Sequence, residues 1–342
     1  GDLVAELPAI ALTKQGNYRS TTRLPSNGIG FYRLLLTATD GTVSRETVRR
    51  YAVIPTHPES KEPESPFGVN THFNPFKSKR PPAVLGKIVK RTGIAWIRDG
   101  VQTANLSEDQ AVVVAEENNL CYLPVFSGTY MPIEDHRTSD GGWDFSRIAE
   151  KHRAYAEKYG KHIEYYDLAN EPMQKWSKAI GGSWWGGPWV RPFAMYGAAV
   201  TKAIKEADPD AKIIWEDGDT LVWYPQLFEH AKDSIDLISP HPYNTHPAIP
   251  LPEEQPVLAQ YDELHSFIKE RNLRWKVWVG EIGYSSFILP EGKKPTFYTP
   301  ATEDEQASLL VRAMVMHLYH GADKVFWYGL KDNGTEPGES EH

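Results

Sequence analysis

From residue 67 onward, short apolar segments alternate with longer amphipathic ones, and this alternation limits the possible folds more than any other feature. The apolar segments predict eight strands, over residues 67–73, 94–101, 120–127, 163–170, 211–217, 235–240, 276–281 and 324–328. Each segment is apolar on both faces, as is typical of strands in a buried parallel sheet. Eight such strands with helices between them favour a (β/α)8 barrel over a doubly wound sheet.

The segments between the strands show helical periodicity, most plainly over residues 148–159, 192–207 and 303–320. The chain has 342 residues, and a barrel takes about 250, so a second, smaller domain has room. The composition is 40% hydrophobic and 24% charged, which excludes wholesale disorder.

Charge and cysteine content exclude several classes of partner. The net charge of -8 argues against a nucleic-acid binder, which normally carries a basic face. No run approaches the roughly 18 apolar residues that a membrane span requires. The single cysteine, Cys121, excludes an intrachain disulfide framework and a cysteine-based zinc cluster.

The first 55 residues have a different pattern. Strand-like runs over residues 31–38 and 47–54 flank the turn signal Asp40-Gly41, and residues 18–24 are a possible further strand. Three strands make a poor domain by themselves. We therefore predict a partial β-sandwich over residues 1–55, a linker rich in proline, serine and charge over residues 56–66, and the barrel over residues 67–342.

The last residues, 331–342, are polar and turn-like, whereas a complete barrel has a helix after its eighth strand. We therefore expect a barrel that lacks its last helix, within a longer protein. Apolar surface at Val69, Val325 and Phe326 would then be exposed, to be covered by the missing C-terminal part or by another chain. We also expect a secreted or periplasmic protein, with no signal peptide in this sequence.

Two glutamates follow apolar strands that would otherwise be core. Glu171 closes the fourth predicted strand and Glu281 the seventh, and catalytic groups of a barrel lie at these C-terminal ends. Charged residues are rarely buried without a partner or a role. Such a pair suits cleavage of a glycosidic bond. The alternative is that each glutamate belongs to a structural ion pair, for instance with Arg98.

Several motifs around these strand ends resemble one group of enzymes. They are YYDLANEP, VWVGEIGYSS, SPHPYN, WIRDG and FGVN. Together they are similar to the strand motifs of clan A retaining glycoside hydrolases, with glycoside hydrolase family 39 and related bacterial glycosidases the nearest likeness. The resemblance covers about residues 65–342 and implies a (β/α)8 barrel that cleaves β-linked glycans by double displacement.

The resemblance implies a role for each matching residue. Glu171 would be the general acid/base, starting protonated, and Glu281 the nucleophile, held ionised by Arg98 and Tyr243. Asn170 would bind the sugar 2-hydroxyl.

His241 would order the nucleophile side together with Tyr243. Trp327 would form the floor beneath the reacting sugar. Arg98 would balance charge, and a purely structural buried arginine is the alternative.

Further substrate contacts are predicted around the barrel mouth. The insert over residues 176–189 places Trp184 and Trp185 among glycines, which suits a sugar-stacking rim or, alternatively, a hydrophobic plug. Asp217 would bind a hydroxyl of a further sugar, with a solvated loop as the alternative. His72 would contact the sugar that is cleaved, or be an ordinary polar residue of the mouth.

The expected partner is an oligo- or polysaccharide, with no nucleic acid and no membrane. We expect no cofactor and no catalytic metal, because His241 and His246 lack HExxH-like spacing. Two other functions are alternatives to a retaining glycoside hydrolase. One is an inactive carbohydrate-binding barrel, and the other is a metal-dependent barrel hydrolase that uses His72, His241 and Asp217. The sequence does not specify the sugar, because specificity depends on loops.

Overall fold

The structure is a computed structural model. It describes residues 5–11, 21–24, 28–73, 81–101, 109–128, 131–216, 218, 221–243, 251–286, 291 and 300–330. The chain divides into two compact units, residues 1–57 and residues 58–342.

The first unit contains an antiparallel hairpin of β1 (Gly30–Thr39) and β2 (Ser44–Val53). Asp40 begins the turn, and its Oδ1 accepts hydrogen bonds from the amides of Thr42 and Val43. The two strands predicted around Asp40-Gly41 are therefore present. Of the possible further strand, residues 18–20 lie outside the described residues and residues 21–24 are not in a strand. The partial sandwich stays a prediction.

The second unit is a closed barrel of eight parallel strands in the order β10-β3-β4-β5-β6-β7-β8-β9. The strands are β3 (Phe67–Asn70), β4 (Trp96–Gly100), β5 (Cys121–Val125), β6 (Tyr165–Asp167), β7 (Lys212–Glu216), β8 (Leu237–Ser239), β9 (Lys276–Ile282) and β10 (Lys324–Trp327). All eight predicted strands are present, and the predicted (β/α)8 barrel with a small β unit is confirmed.

Helices cover every connection between successive barrel strands. They are α1 (Pro82–Arg91), α2 (Gln110–Glu117), α3 (Ser146–Tyr159), α4 (Met173–Ile180), α5 (Val190–Ala207), α6 (Tyr224–Ala231), α7 (Val257–Glu270) and α8 (Glu303–Tyr319). The connection from β6 to β7 holds both α4 and α5. Among the described residues, no helix combines the length and the apolar character that a membrane crossing requires.

The barrel closes where β10 pairs with β3, through Val325↔Phe67 and Trp327↔Val69. Val69 is 2% exposed, and Val325 and Phe326 are 0% exposed. The expected exposed seam at these three residues is therefore wrong. The pairing of β10 with β3 removes both sheet edges, and neighbouring side chains cover both faces. The expectation of a missing last helix falls on residues 331–342, outside the described residues.

Aromatic side chains fill the N-terminal half of the barrel interior. The Trp278 ring lies 4.3 Å from that of Tyr165 and 5.3 Å from that of Trp96, measured between centroids. Phe326 joins them and requires a glycine opposite, since a Cβ on Gly68 would lie 2.3 Å from its ring. This half of the barrel is a packed core, so any site must lie at the C-terminal half.

Residues 58–66, within the predicted linker, belong to the second unit and bind the N-terminal end of the barrel. The Lys324 ammonium donates to the carbonyls of Pro63 and Ser65, at 2.6 and 2.9 Å. The Trp96 indole also donates to the Pro63 carbonyl, at 3.1 Å. The segment is thus fastened to the first residues of β10 and β4.

Candidate active site

Charged residues occupy the C-terminal half of the barrel interior because side chains alternate along a strand. A charged residue follows an interior residue by two positions on three strands: Arg98 after Trp96, Asp167 after Tyr165 and Glu216 after Ile214. All three charged side chains are buried. Alternation thus brings them into one interior layer above the aromatic core.

Arg98 is the centre of this layer. Its Nε lies 3.0 Å from Asp167 Oδ2, and its Nη1 donates to Glu281 Oε1. Nη1 also donates to Asn70 Oδ1 at 2.9 Å, and Nη2 donates to Asn170 Oδ1 at 3.1 Å. The guanidinium therefore links groups from β3, β6 and β9, and the predicted role of Arg98 in charge balance stays a prediction.

Burial lowers the pKa of Arg98, but the charges of Asp167, Glu281 and Glu216 outweigh burial and raise it overall. Arg98 therefore stays charged. Burial raises the pKa of Asp167 to about 6, against the lowering effect of Arg98. Sequence reasoning missed Asp167 as a site residue, although its position two residues after an interior tyrosine was a usable signal.

Glu281 is 7% exposed at the end of β9, and donors hold both of its oxygens. Arg98 binds Oε1, and the Tyr243 phenol donates to Oε2 at 2.7 Å. The Asn70 side-chain amide donates to the carbonyl of the preceding Gly280 at 3.0 Å. Each oxygen of this carboxylate therefore has its own donor, which limits rotation of the group.

Glu171 is more accessible, with 20% of its side chain exposed, and it lies in the loop that follows β6. Its φ of 45° is in the left-handed region, which is unusual for a glutamate. The Gln174 side-chain amide donates to its Oε2. Burial raises the pKa of Glu171, while Arg98 and Lys175 lower it in part. A carboxyl of this kind keeps its proton to higher pH than an exposed one.

His241 lies between the carboxyl groups and is fully buried. Its Nδ1 is 3.7 Å from Glu171 Oε1, 3.7 Å from Glu216 Oε1 and 3.9 Å from Glu281 Oε2. Burial lowers the pKa of His241 to about 3, so the ring is neutral at ordinary pH. A Cβ on Gly280 would lie 2.7 Å from its Nε2, so glycine there makes room for the ring.

Glu171, His241 and Glu281 each offer one ligand atom, and these atoms lie within 4.8 Å of one another. The trio is close enough to be considered as a metal site, so the expected absence of a metal stays a prediction. The guanidinium of Arg98, which binds Glu281, opposes a second cation at this place by like-charge repulsion.

The structure places Tyr328, rather than Trp327, beside the predicted site residues. The Tyr328 ring lies 5.3 Å from His72 and 6.1 Å from Tyr243. Trp327 instead packs against Tyr284, at 6.4 Å, within the core cluster that also contains Val325. Adjacent residues of a strand point to opposite faces. Because Phe326 fills the interior, Trp327 faces the helices and not the predicted site, and Tyr328 is the aromatic residue of this segment that lies beside His72 and Tyr243.

The remaining predicted residues lie at the rim or outside the described residues. Trp184 and Trp185 are 44% and 63% exposed, on the loop between α4 and α5. The Trp184 carbonyl accepts a hydrogen bond from the Trp223 indole at 3.0 Å. The structure shows no hydrogen bond or ring contact from either indole to the carboxyl groups within the ranges it describes. Asp217 lies outside those ranges.

Neither a protein-family model nor a curated protein matches this chain. Solved structures do. A family 39 glycoside hydrolase from the gut symbiont Bacteroides cellulosilyticus WH2 matches 92% of this chain, with a TM-score of 0.71 and 20% identity. This chain spans 66% of that structure's length.

Two further matches come from other glycoside hydrolases. A GH10 endoxylanase from a sugarcane soil metagenome has a TM-score of 0.53 and 17% identity, over 82% of this chain and 92% of its own. Fungal β-1,4-galactanases give a TM-score of 0.53 and 14% identity, over 77% of this chain and 88% of theirs. The resemblance found in the sequence motifs is thereby confirmed for the fold, and the chain has the (β/α)8 barrel fold of these glycoside hydrolases.

Proposed function

We propose that this chain is a retaining glycoside hydrolase that acts on β-linked glycans, with Glu171 as acid/base and Glu281 as nucleophile. The proposal depends chiefly on one observation. Carboxyl oxygens of the two glutamates lie within 4.8 Å of each other at the mouth of the barrel. Retaining enzymes hold their two carboxyl groups about 5–5.5 Å apart, whereas inverting enzymes need about 6.5–9.5 Å to admit a water.

The different surroundings of the two carboxyl groups support the assignment of roles. Glu281 is bound by a guanidinium and a phenol, so its orientation is fixed, as a nucleophile requires. Glu171 is partly exposed and has a raised pKa, so it can start protonated, as a general acid must. Two carboxyl groups with divergent environments are the usual arrangement for this chemistry.

The reaction then follows in two steps. Glu281 attacks the anomeric carbon while Glu171 gives its proton to the leaving glycosidic oxygen, so the C–O bond breaks and a glycosyl ester with Glu281 forms. Glu171, now a carboxylate, next takes a proton from a water molecule. The water oxygen bonds to the anomeric carbon, and the ester bond to Glu281 breaks.

Other residues would bind the substrate. Asn170 is oriented by Arg98 through its Oδ1, so its amide nitrogen is available to a sugar hydroxyl. Tyr328 and His72 would line the subsite of the cleaved sugar, and exposed Trp184 and Trp185 would stack on further sugars. The β-linkage is supported by the matched structures, which include β-1,4-galactanases and a β-glucuronidase.

The test begins with a panel of nitrophenyl α- and β-glycosides and NMR of the first anomer released. Retention from a β-glycoside is the expected result. Glu281→Gly with azide should yield the α-glycosyl azide, and Glu171→Ala with azide the β-glycosyl azide, because each variant leaves a different face open. Glu270→Ala, an exposed glutamate on α7, is the matched control.

Three outcomes would contradict the proposal. The reverse pattern of azide products would exchange the roles of the two glutamates. Glycan binding without turnover of any glycoside would indicate an inactive carbohydrate-binding barrel. Loss of turnover on chelation, with recovery on adding a divalent metal, would indicate a metal-dependent hydrolase.

A further inference from the structure

A third glutamate, Glu216, lies on β7, between the strands that precede Glu171 and His241. It ends β7 and is 0% exposed. β7 pairs with β6 through Asp167↔Ile214, and with β8 through Glu216↔Ser239. A fully buried carboxyl is rare without a role, and the two-step reaction above gives Glu216 none.

The contact that Glu216 makes is with the main chain of Glu171. Glu216 Oε2 accepts a hydrogen bond from the Glu171 amide across 2.5 Å. Glu171 is the residue whose φ of 45° is disfavoured for a side chain of this type. Such a conformation costs about 1–3 kcal/mol and persists only where the surroundings enforce it. The hydrogen bond from the neighbouring strand is a direct means of enforcing it.

We propose that Glu216 is a positioning residue for Glu171, which holds the main chain of the acid/base in the conformation that turns its carboxyl toward Glu281. The inference rests on the proposed function, since it concerns the acid/base of that reaction. It adds a residue from the fifth barrel strand to the groups that control proton donation.

Glu216 acts in this role as a neutral acceptor. Burial, followed by the charges of Glu171 and Asp167, raises its pKa well above the ordinary carboxyl range, and Arg98 only partly opposes this. Since Oε2 accepts the amide proton, the carboxyl proton belongs on Oε1, which is 3.7 Å from His241 Nδ1. The hydrogen bond therefore restrains Glu171 without placing another negative charge beside it.

The proposed role predicts an order of proton donation among the Glu216 variants. A role that depended on the charge of Glu216 would predict the reverse order for glutamine and aspartate. Glutamine at this position keeps the length and the carbonyl acceptor, although it cannot ionise. Aspartate keeps the acid but withdraws it by one methylene. Glu216→Gln should therefore preserve proton donation better than Glu216→Asp, and Glu216→Ala should preserve it least.

The experiment compares two glycosides of one sugar from the active panel, with 2,4-dinitrophenol and phenol as leaving groups. Only the phenyl glycoside depends strongly on proton donation. Misplacing a catalytic group by 1 Å can cost about a hundredfold, so Glu216→Ala and Glu216→Asp should lower kcat/KM for the phenyl glycoside by about tenfold or more relative to the dinitrophenyl glycoside. Glu216→Gln should change that ratio by less than about threefold.

The control is Asp236→Ala, because the Asp236 carboxylate accepts from the Ile213 amide at 2.9 Å, near the opposite end of β7. The Asp236→Ala variant should leave the ratio of kcat/KM for the two glycosides unchanged.

Equal losses of kcat/KM on both glycosides for Glu216→Ala, or a Glu216→Gln variant that is worse than Glu216→Asp, would overturn the inference alone. A wild type inactive on the whole panel would overturn the proposed function as well. If circular dichroism shows that Glu216→Ala does not fold, the comparison of Glu216→Gln with Glu216→Asp tests the inference by itself.

Discussion

The phenol oxygen of Tyr243 donates a hydrogen bond to Glu281 Oε2 across 2.7 Å, on the oxygen that Arg98 leaves free. One carboxylate thus has a separate donor on each oxygen, one from the loop after β8 and one from β4. This arrangement limits rotation of the carboxylate.

Tyr243→Phe should therefore slow the formation of the glycosyl ester. A hydrogen bond to a charged group contributes about 1.5–3 kcal/mol, so kcat/KM should fall roughly tenfold to a hundredfold. Tyr166→Phe is the matched control, because its phenol binds Asp208 at 3.3 Å, away from the carboxyl cluster. Equal effects of the two substitutions on kcat/KM would contradict the assigned role of Tyr243.

Lys175→Met should move the alkaline limb of the pH profile to higher pH. Burial raises the pKa of Glu171, and the positive charges of Arg98 and Lys175 lower it. Removing one of those charges raises the pKa further. The acid acts in its protonated form, so activity is lost as pH rises through this pKa. The measurement is kcat/KM against pH with a poor leaving group, and exposed Lys178→Met is the control. A limb displaced to lower pH would contradict the assignment.

A substitution at Tyr328 should weaken substrate binding, whereas one at Trp327 should lower the stability of the fold. Tyr328→Ala removes the aromatic face beside His72 and should raise KM about fivefold, as expected for lost stacking of about 1 kcal/mol. Trp327→Leu should instead lower the free energy of unfolding by about 2–4 kcal/mol through a cavity beneath the helices. Urea unfolding and substrate saturation curves test both. The opposite pattern would restore Trp327 as the floor.

Lys324→Met should loosen the segment over residues 58–66. The substitution removes the Lys324 donor from the carbonyls of Pro63 and Ser65, leaving Pro63 with the Trp96 indole alone, and it removes the ammonium that lies 4.9 Å from the Trp96 ring. A lost hydrogen bond of this kind costs about 0.5–1.5 kcal/mol. We expect a lower melting temperature and faster proteolysis within residues 58–66, read by mass spectrometry. Lys276→Met, at the exposed first residue of β9, should change neither.

The sequence by itself determined the barrel and the two glutamates. Apolar runs of strand length, alternating with helical periodicity, allow few arrangements other than a parallel barrel, so all eight strands were predictable. The positions of Glu171 and Glu281 could be predicted for the same reason. Each directly ends a run that is otherwise apolar, and a charge at that place has to be accounted for.

The tertiary structure alone decided which other side chains join them. Alternation along the strand indicates that Asp167 and Glu216 face the interior, but only barrel closure brings Asp167 to Arg98 and Glu216 to the Glu171 amide. The choice between Trp327 and Tyr328 depends on which face of β10 each residue occupies. A register shift between β10 and β9 falls between Val325 and Trp327. Since a displacement of one residue exchanges the inner and outer faces, only the folded barrel specifies the tyrosine.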